Sequence, residues 1–212
     1  MSAHMKGPQR RREIATGGKV RGADIYQLKI AIEDCSPPIW RRLQVPGYVT
    51  FAQLHRIIQS AFMWSDAHLH EFRIHDRIFS APSADYIHSV IDERTVILAK
   101  EIQKEKLRFT YTYDFGDSWD HGITVEKIFA PRPGCHYPTC VAGKRRTPPE
   151  DCGGPGGYHN LLGVLANPHH PDFHELNEWV GPYFRPDEVD LEYVNSELKR
   201  MKFRKRIKPS AT

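Results

Sequence analysis

Several groups of residues in this chain have the types and spacing that chemistry requires. His68 and His70 stand two apart in an extended stretch, so they share one face of a strand. His121 follows a segment that holds Asp114, Asp117 and Asp120. Imidazoles and carboxylates of this kind hold a divalent metal, and an Asp beside a His fixes its tautomer. His68, His70, Asp117 and His121 are the candidate ligands. The plainer reading is that these histidines bond loop carbonyls and pin the hairpin, since no strict motif such as His-Glu-x-x-His is present. A second group is Cys135, His136, Cys140 and Cys152, spaced Cys-x4-Cys-x11-Cys. Zinc takes four N or S ligands, and an irregular loop gains from such a clip. The alternative is three free, partly buried thiols. A third is Pro148-Pro149-Glu150-Asp151-Cys152-Gly153-Gly154, where Glu150 and Asp151 are adjacent acids on a constrained turn. They suit acid–base catalysis or cation binding, or they simply face the N-terminus of a following helix. In Trp40-Arg41-Arg42 an Arg lies on each face of a strand, and an inward Arg41 calls for a carboxylate partner.

The elements that must position these groups are legible from periodicity. Tyr26, Leu28, Ile30 and Ile32 alternate with polar neighbours and predict a strand. Ser36-Pro37-Pro38 turns the chain into a second strand with Ile39, Leu43 and Val45. Thr50 is a helix N-cap, and Phe51, Leu54, Ile57, Ile58, Ala61 and Phe62 follow at helical spacing. His68 to Ile74 is a strand, and residues 77–100 give no clear pattern. Leu107 to Phe115 alternates and pairs with a strand at Ile123 and Val125, closed by a hairpin at Gly116–Asp120. Residues 130–157 form a long irregular segment. Helices are expected at about 157–166, 172–181 and 186–203. The order predicts α+β: a mostly antiparallel sheet, one helix packed after the second strand, and a C-terminal group of two to three helices.

The 212 residues divide into a flexible basic arm over 1–22, one domain over 23–198 and a basic tail over 199–212. The arm carries +5 and the tail +7, whereas the 17 basic and 25 acidic residues between them give −8. Arg10, Arg11, Arg12, Lys202, Arg204, Lys205 and Arg206 are therefore the candidate contacts to DNA phosphates. No apolar run is long enough for a membrane span, and no signal peptide follows the basic start. Four Cys without an export signal point to a reducing, cytoplasmic setting. Gly153-Gly154-Pro155-Gly156-Gly157 lacks the Lys-Ser/Thr of a P-loop, and no Rossmann fingerprint is present, so no organic cofactor is expected.

Read together, Pro37-Pro38-Ile39-Trp40-Arg41-Arg42, the Leu54-His55 helix, Trp64 with His68-Leu69-His70-Glu71-Phe72, Tyr113 through His121, and Pro148 through Gly154 resemble the plasmid pRiA4b ORF-3-like family. Gly157-Tyr158 and Phe184-Arg185-Pro186 fit it too, so the resemblance covers about 24–198. It implies a compact α+β domain without an established activity, some members being labelled resolvase-like passengers of insertion elements. No resolvase nucleophile Ser motif is present. Many relatives have Cys where this chain has Thr147, so a shared Cys-based metal site would here have to use Cys135 or Cys152. Three functions follow as expectations. The first is a protein of a nucleic-acid or mobile-element context that binds DNA through its basic ends. The second is a metal-dependent hydrolase or nuclease, using zinc or another divalent ion, with Glu150 or Asp151 as base. The third is a protein-interaction module presenting Tyr111, Tyr113, Trp119 and Trp179.

Overall fold

The computed structural model describes residues 23–82 and 90–203. Among these residues one eight-stranded sheet runs in the order β5-β4-β3-β6-β7-β1-β2-β8. Its strands are β1 (Ile25–Ile32), β2 (Trp40–Pro46), β3 (His70–Ile74), β4 (Arg77–Ser80), β5 (Ile91–Asp92), β6 (Arg108–Tyr113), β7 (Trp119–Phe129) and β8 (Thr139–Lys144). Every pair is antiparallel except the short β4–β5 pair. The class is the α+β architecture expected from the element order.

The alternation in β1 sends Tyr26, Leu28, Ile30 and Ile32 into the core. The opposite face carries a charged lattice instead. Arg42 pairs with Glu126 at 2.6 Å, Gln27 donates to the same carboxylate at 2.9 Å, and Lys29 and Arg42 lie over the Trp40 ring. Helix α1 (Phe51–Phe62) covers the apolar face. Thr50 Oγ1 accepts from Gln53 N–H at 3.2 Å while Gln53 Oε1 accepts from Thr50 N–H at 2.9 Å, a reciprocal cap that satisfies two donors at the helix start. Helix α2 (Leu98–Glu101) is a single turn. Helices α3 (Gly154–Leu165), α4 (Phe173–Val180) and α5 (Leu191–Arg200) follow, with α5 packed on α1 and β8. Among the described residues no helix is long and apolar enough to cross a membrane.

Three elements depart from the periodicity. The strand expected from His68 starts at His70, because Asp66 takes a left-handed φ of 61° and turns the preceding loop. The last helix starts at Leu191, capped by Asp190, whose carboxylate accepts from Tyr193 N–H at 2.8 Å, and not at Pro186. Within the segment read as irregular, β8 pairs with β2 through a register shift at Arg42/Leu43. Asn195 of α5 brackets its second residue: Oδ1 accepts from Cys140 N–H at 2.8 Å and Nδ2 donates to Cys140 O at 2.9 Å.

Arg41 also departs from expectation. It is 1% exposed, yet among the described residues it meets no carboxylate. Nε donates to Ala61 O at 3.0 Å, Nη1 to the carbonyls of Trp40, Lys144 and Arg145, and Nη2 to Thr147 Oγ1 at 3.2 Å. Ala61 belongs to the last turn of α1, where unpaired carbonyls and the helix dipole present negative charge. Carbonyl dipoles do here what a counter-ion was expected to do. Burial pulls the guanidinium down to about 10, which leaves it charged at neutral pH.

Candidate functional site

The hairpin tip, the loop before β3 and the Pro-Pro-Glu-Asp turn converge at one end of the sheet. Asp114 takes φ 57° and folds the tip back on itself. Its Oδ1 accepts from Gly116 N–H at 3.0 Å and Asp117 N–H at 3.3 Å, and its own N–H donates to Leu69 O at 2.9 Å. The turn is tied down from both sides. Trp64 Nε1 donates to Pro148 O at 3.1 Å, Tyr113 Oη donates to Glu150 at 2.6 Å, and Ser65 N–H and Oγ both donate to the same carboxylate. Burial and the neighbouring Glu150 push the Tyr113 hydroxyl well above its ordinary range, so it stays a donor.

Gly153 N–H donates to Asp117 Oδ2 at 3.1 Å, so Asp117 supplies the negative charge that faces the start of α3. That contact brings the backbones together: a Cβ on Gly154 would lie 2.3 Å from Asp117 O, and one on Gly157 would lie 1.9 Å from Cys152 O. Gly157→Ala is expected to push α3 off the turn and cost at least about 2 kcal/mol, read as a lowered urea midpoint. An unchanged midpoint would contradict this packing.

Within this convergence His68, Asp114 and Asp151 offer ligand atoms that all lie within 4.8 Å of one another. His68 Nε2 is 3.2 Å from Asp151 Oδ1 and 3.7 Å from Asp114 Oδ2. It is buried as an atom and makes no hydrogen bond. The Asp114 side chain is 11% exposed and that of Asp151 is 73% exposed, so the group is closed on one side and open on the other. One imidazole nitrogen and two carboxylates facing one point suit a borderline divalent ion such as Mn2+ or Zn2+. The residues fit a cation.

A second trio, His55, Asp66 and His70, meets the same distance limit among the described residues, but its protons are already assigned. Asp66 N–H donates to Gln59 Oε1 at 3.0 Å, which fixes the amide so that Nε2 donates to Tyr111 Oη at 2.9 Å. The buried Tyr111 hydroxyl then gives its own hydrogen to His55 Nδ1 at 2.8 Å, and His55 Nε2–H donates to Asp66 Oδ1 at 2.6 Å. These four bonds close a ring. The lone pair a cation would need on His55 Nε2 is occupied by a proton. His55 and His70 also stack at 3.4 Å with an interplanar angle of 1°, so no ion can lie in both ring planes. Burial, and then the stacked His70, hold His55 below the ordinary histidine value against the pull of Asp66 and Glu93. His70 Nε2 lies 2.8 Å from the buried Glu93 carboxylate.

The other residues singled out by the sequence do not join the His68–Asp114–Asp151 trio. His121 is fully buried among Phe62, Trp64 and Tyr111, and its Nδ1 faces the carbonyls of Trp119 at 2.8 Å and Tyr111 at 3.2 Å. That is the carbonyl-pinning arrangement, and burial lowers the ring to about 4. His70 belongs to the stack, and Glu150 holds the turn. Cys135 is exposed, Cys140 is buried on β8, and Cys152 is half-buried. Neither trio includes a Cys, and burial raises the thiols of Cys140 and Cys152, the latter to about 12. Tyr111, Tyr113 and Trp119 are core residues, while Trp179 is 49% exposed. Lys202 is exposed, and Arg10, Arg11, Arg12, Arg204, Lys205 and Arg206 lie outside the described residues. The sequence reading missed His55, Gln59, Asp66 and Glu93. A usable signal was present: His55 and Gln59 are polar residues four apart on the apolar face of α1.

Comparison with known proteins agrees with the fold and names no reaction. The family model described as plasmid pRiA4b ORF-3-like protein matches residues 24–193. The uncharacterized protein y4hQ of Sinorhizobium fredii (strain NBRC 101917 / NGR234) is 37% identical over 160 residues, which is 75% of this chain and 82% of that protein. The crystal structure of MM3350, a protein of unknown function from Methanosarcina mazei Go1, superposes with a TM-score of 0.73 at 36% identity, covering 80% of this chain and 96% of that one.

Proposed function

The chain belongs to the plasmid pRiA4b ORF-3-like family, and for a member with this geometry we propose a divalent-cation-dependent hydrolase acting on nucleic acid. The observation that carries the reading is His68 Nε2, buried, without a hydrogen bond, and 3.2 and 3.7 Å from two carboxylates. His68, Asp114 and Asp151 would hold the ion. A bound divalent cation supplies Lewis-acid polarisation and lowers the pKa of water. Asp114 is fixed by the hairpin tip, which its other oxygen folds. Asp151 faces solvent and is the side from which substrate enters. Glu150 keeps Asp151 in place through Tyr113 and Ser65, so it is a positioning residue.

Nucleic acid is the substrate class that the two basic ends fit, with +5 over residues 1–22 and +7 over residues 199–212 flanking an acidic body. A mobile-element setting suits the same substrate. In this reading Arg10–Arg12 and Lys202–Arg206 contact phosphates while the centre does the chemistry.

The test is native mass spectrometry and calorimetry with Mn2+, Zn2+ and Mg2+, followed by cleavage of labelled single-stranded and duplex DNA. One equivalent of ion is expected. His68→Gln and Asp151→Asn should each weaken it at least about tenfold and lower cleavage in step. A chain that binds none of the three ions, or cleavage that survives both substitutions, overturns the proposal.

A further inference from the structure

We propose that the hydrogen-bond ring of Asp66, Gln59, Tyr111 and His55 is a proton-operated catch that holds the His68 loop in its cation-binding position. The inference deepens the reading of His68, Asp114 and Asp151 as a cation site and rests on it. The ring joins three elements: His55 and Gln59 on α1, Tyr111 on β6, and Asp66 in the loop two residues before His68. Every donor in it has one acceptor, so its direction is fixed. Asp66 sits at a left-handed φ of 61°, and the ring bonds both its backbone N–H and its carboxylate.

A further proton can enter His55 only at Nδ1, where the Tyr111 hydrogen already points. Tyr111 must then turn its O–H away, and among the described residues His55 and Gln59 are the side chains that face that hydroxyl. The groups facing His55 are His70 from β3, Tyr111 and Tyr113 from β6, Asp66 from the loop and Glu93 from the segment after β5. The charged ring would stand in van der Waals contact with the His70 imidazole. Its escape is outward with Asp66, whose side chain is 49% exposed. The loop follows, and His68 leaves the two carboxylates.

Histidine 15N NMR on the metal-free full chain tests the catch. At neutral pH, His55 should carry its proton on Nε2. On acidification, His55 and the backbone amides of 64–68 should shift with one midpoint. Asp66→Asn removes the carboxylate that steadies the cation and should lower that midpoint by about one pH unit. Tyr111→Phe removes the donor that steadies the neutral ring and should raise it by about as much. Mn2+ titration of the same proteins should show affinity falling at a pH that moves with the midpoint. A proton on Nδ1 at neutral pH, loop amides that ignore the His55 midpoint, or an Asp66→Asn midpoint that rises overturns the catch. None of these three readings needs Tyr111→Phe to fold. A catch that titrates as described in a chain that binds no Mn2+ at any pH overturns the cation site instead.

Discussion

Arg41→Met is expected to be the most damaging single substitution in the domain, lowering stability by at least about 5 kcal/mol or abolishing folding. The guanidinium is the shared donor for Ala61 O, Trp40 O, Lys144 O, Arg145 O and Thr147 Oγ1. Methionine fills much of the volume but donates nothing. Each buried acceptor left without a partner costs about 1–3 kcal/mol, and a domain holds only about 5–15 kcal/mol in reserve. The loss is also topological, since these acceptors belong to α1, β2, the end of β8 and the segment that leads into the Pro-Pro-Glu-Asp turn. Arg41→Lys keeps the charge but offers three donors from one point in place of a planar fork, and should fall between the two. Urea unfolding followed by circular dichroism measures all three proteins. An Arg41→Met protein within about 1 kcal/mol of the parent would refute this account of the guanidinium.

Acid sensitivity in a window above the carboxylates is the second large expected effect. Burial lowers His121 to about 4, and burial with the stacked His70 lowers His55 in the same direction. The unfolded chain takes up a proton on each near pH 6.5, and the folded chain does not. Stability is therefore fully present above about pH 6.5 and declines as pH falls toward 4. At about 1.4 kcal/mol per pH unit, His121 alone accounts for about 3 kcal/mol across that window. His121→Gln should start less stable, because the carbonyls of Trp119 and Tyr111 lose a well-placed donor. Its stability should nevertheless fall less steeply between pH 6.5 and 4.5. Parallel slopes for parent and variant would show that His121 is not the group responsible.

The sequence made the framework legible where side-chain pattern and backbone agree. Tyr26–Ile32, Phe51–Phe62 and the Leu107–Val125 hairpin declare themselves because alternating or helical apolar positions face one core. The turn at Glu150–Asp151 and the tip at Asp114–Asp117 were legible as chemistry for a related reason: Pro and Gly mark where backbone is held in unusual shape. What was not legible depends on contacts made across long stretches of chain. Nothing local tells His121 from His68, yet one is sealed among aromatic rings and the other meets Asp151 from 83 residues away. Arg41 misled because a buried charge suggests a counter-ion, and the C-terminal carbonyls of α1 are invisible as charge in a string of letters. β8 escaped notice because Thr139-Cys140-Val141-Ala142-Gly143-Lys144 has little contrast between its faces, and its place depends on β2 and α5.

The grip of Asn195 on Cys140 bears on how this protein behaves at high concentration. β8 is the last strand on its side, and a final strand normally leaves alternate amides and carbonyls free to recruit a strand from another chain. Asn195 takes the amide and the carbonyl of Cys140 at once, imitating one rung of such a partner and blocking growth in that direction. At the far margin, β5 is two residues long and offers too little backbone for a stranger to join. Among the described residues both margins of the sheet thus offer little to a strand from another chain, for different reasons, and Asn195→Leu is expected to free the Cys140 rung of β8.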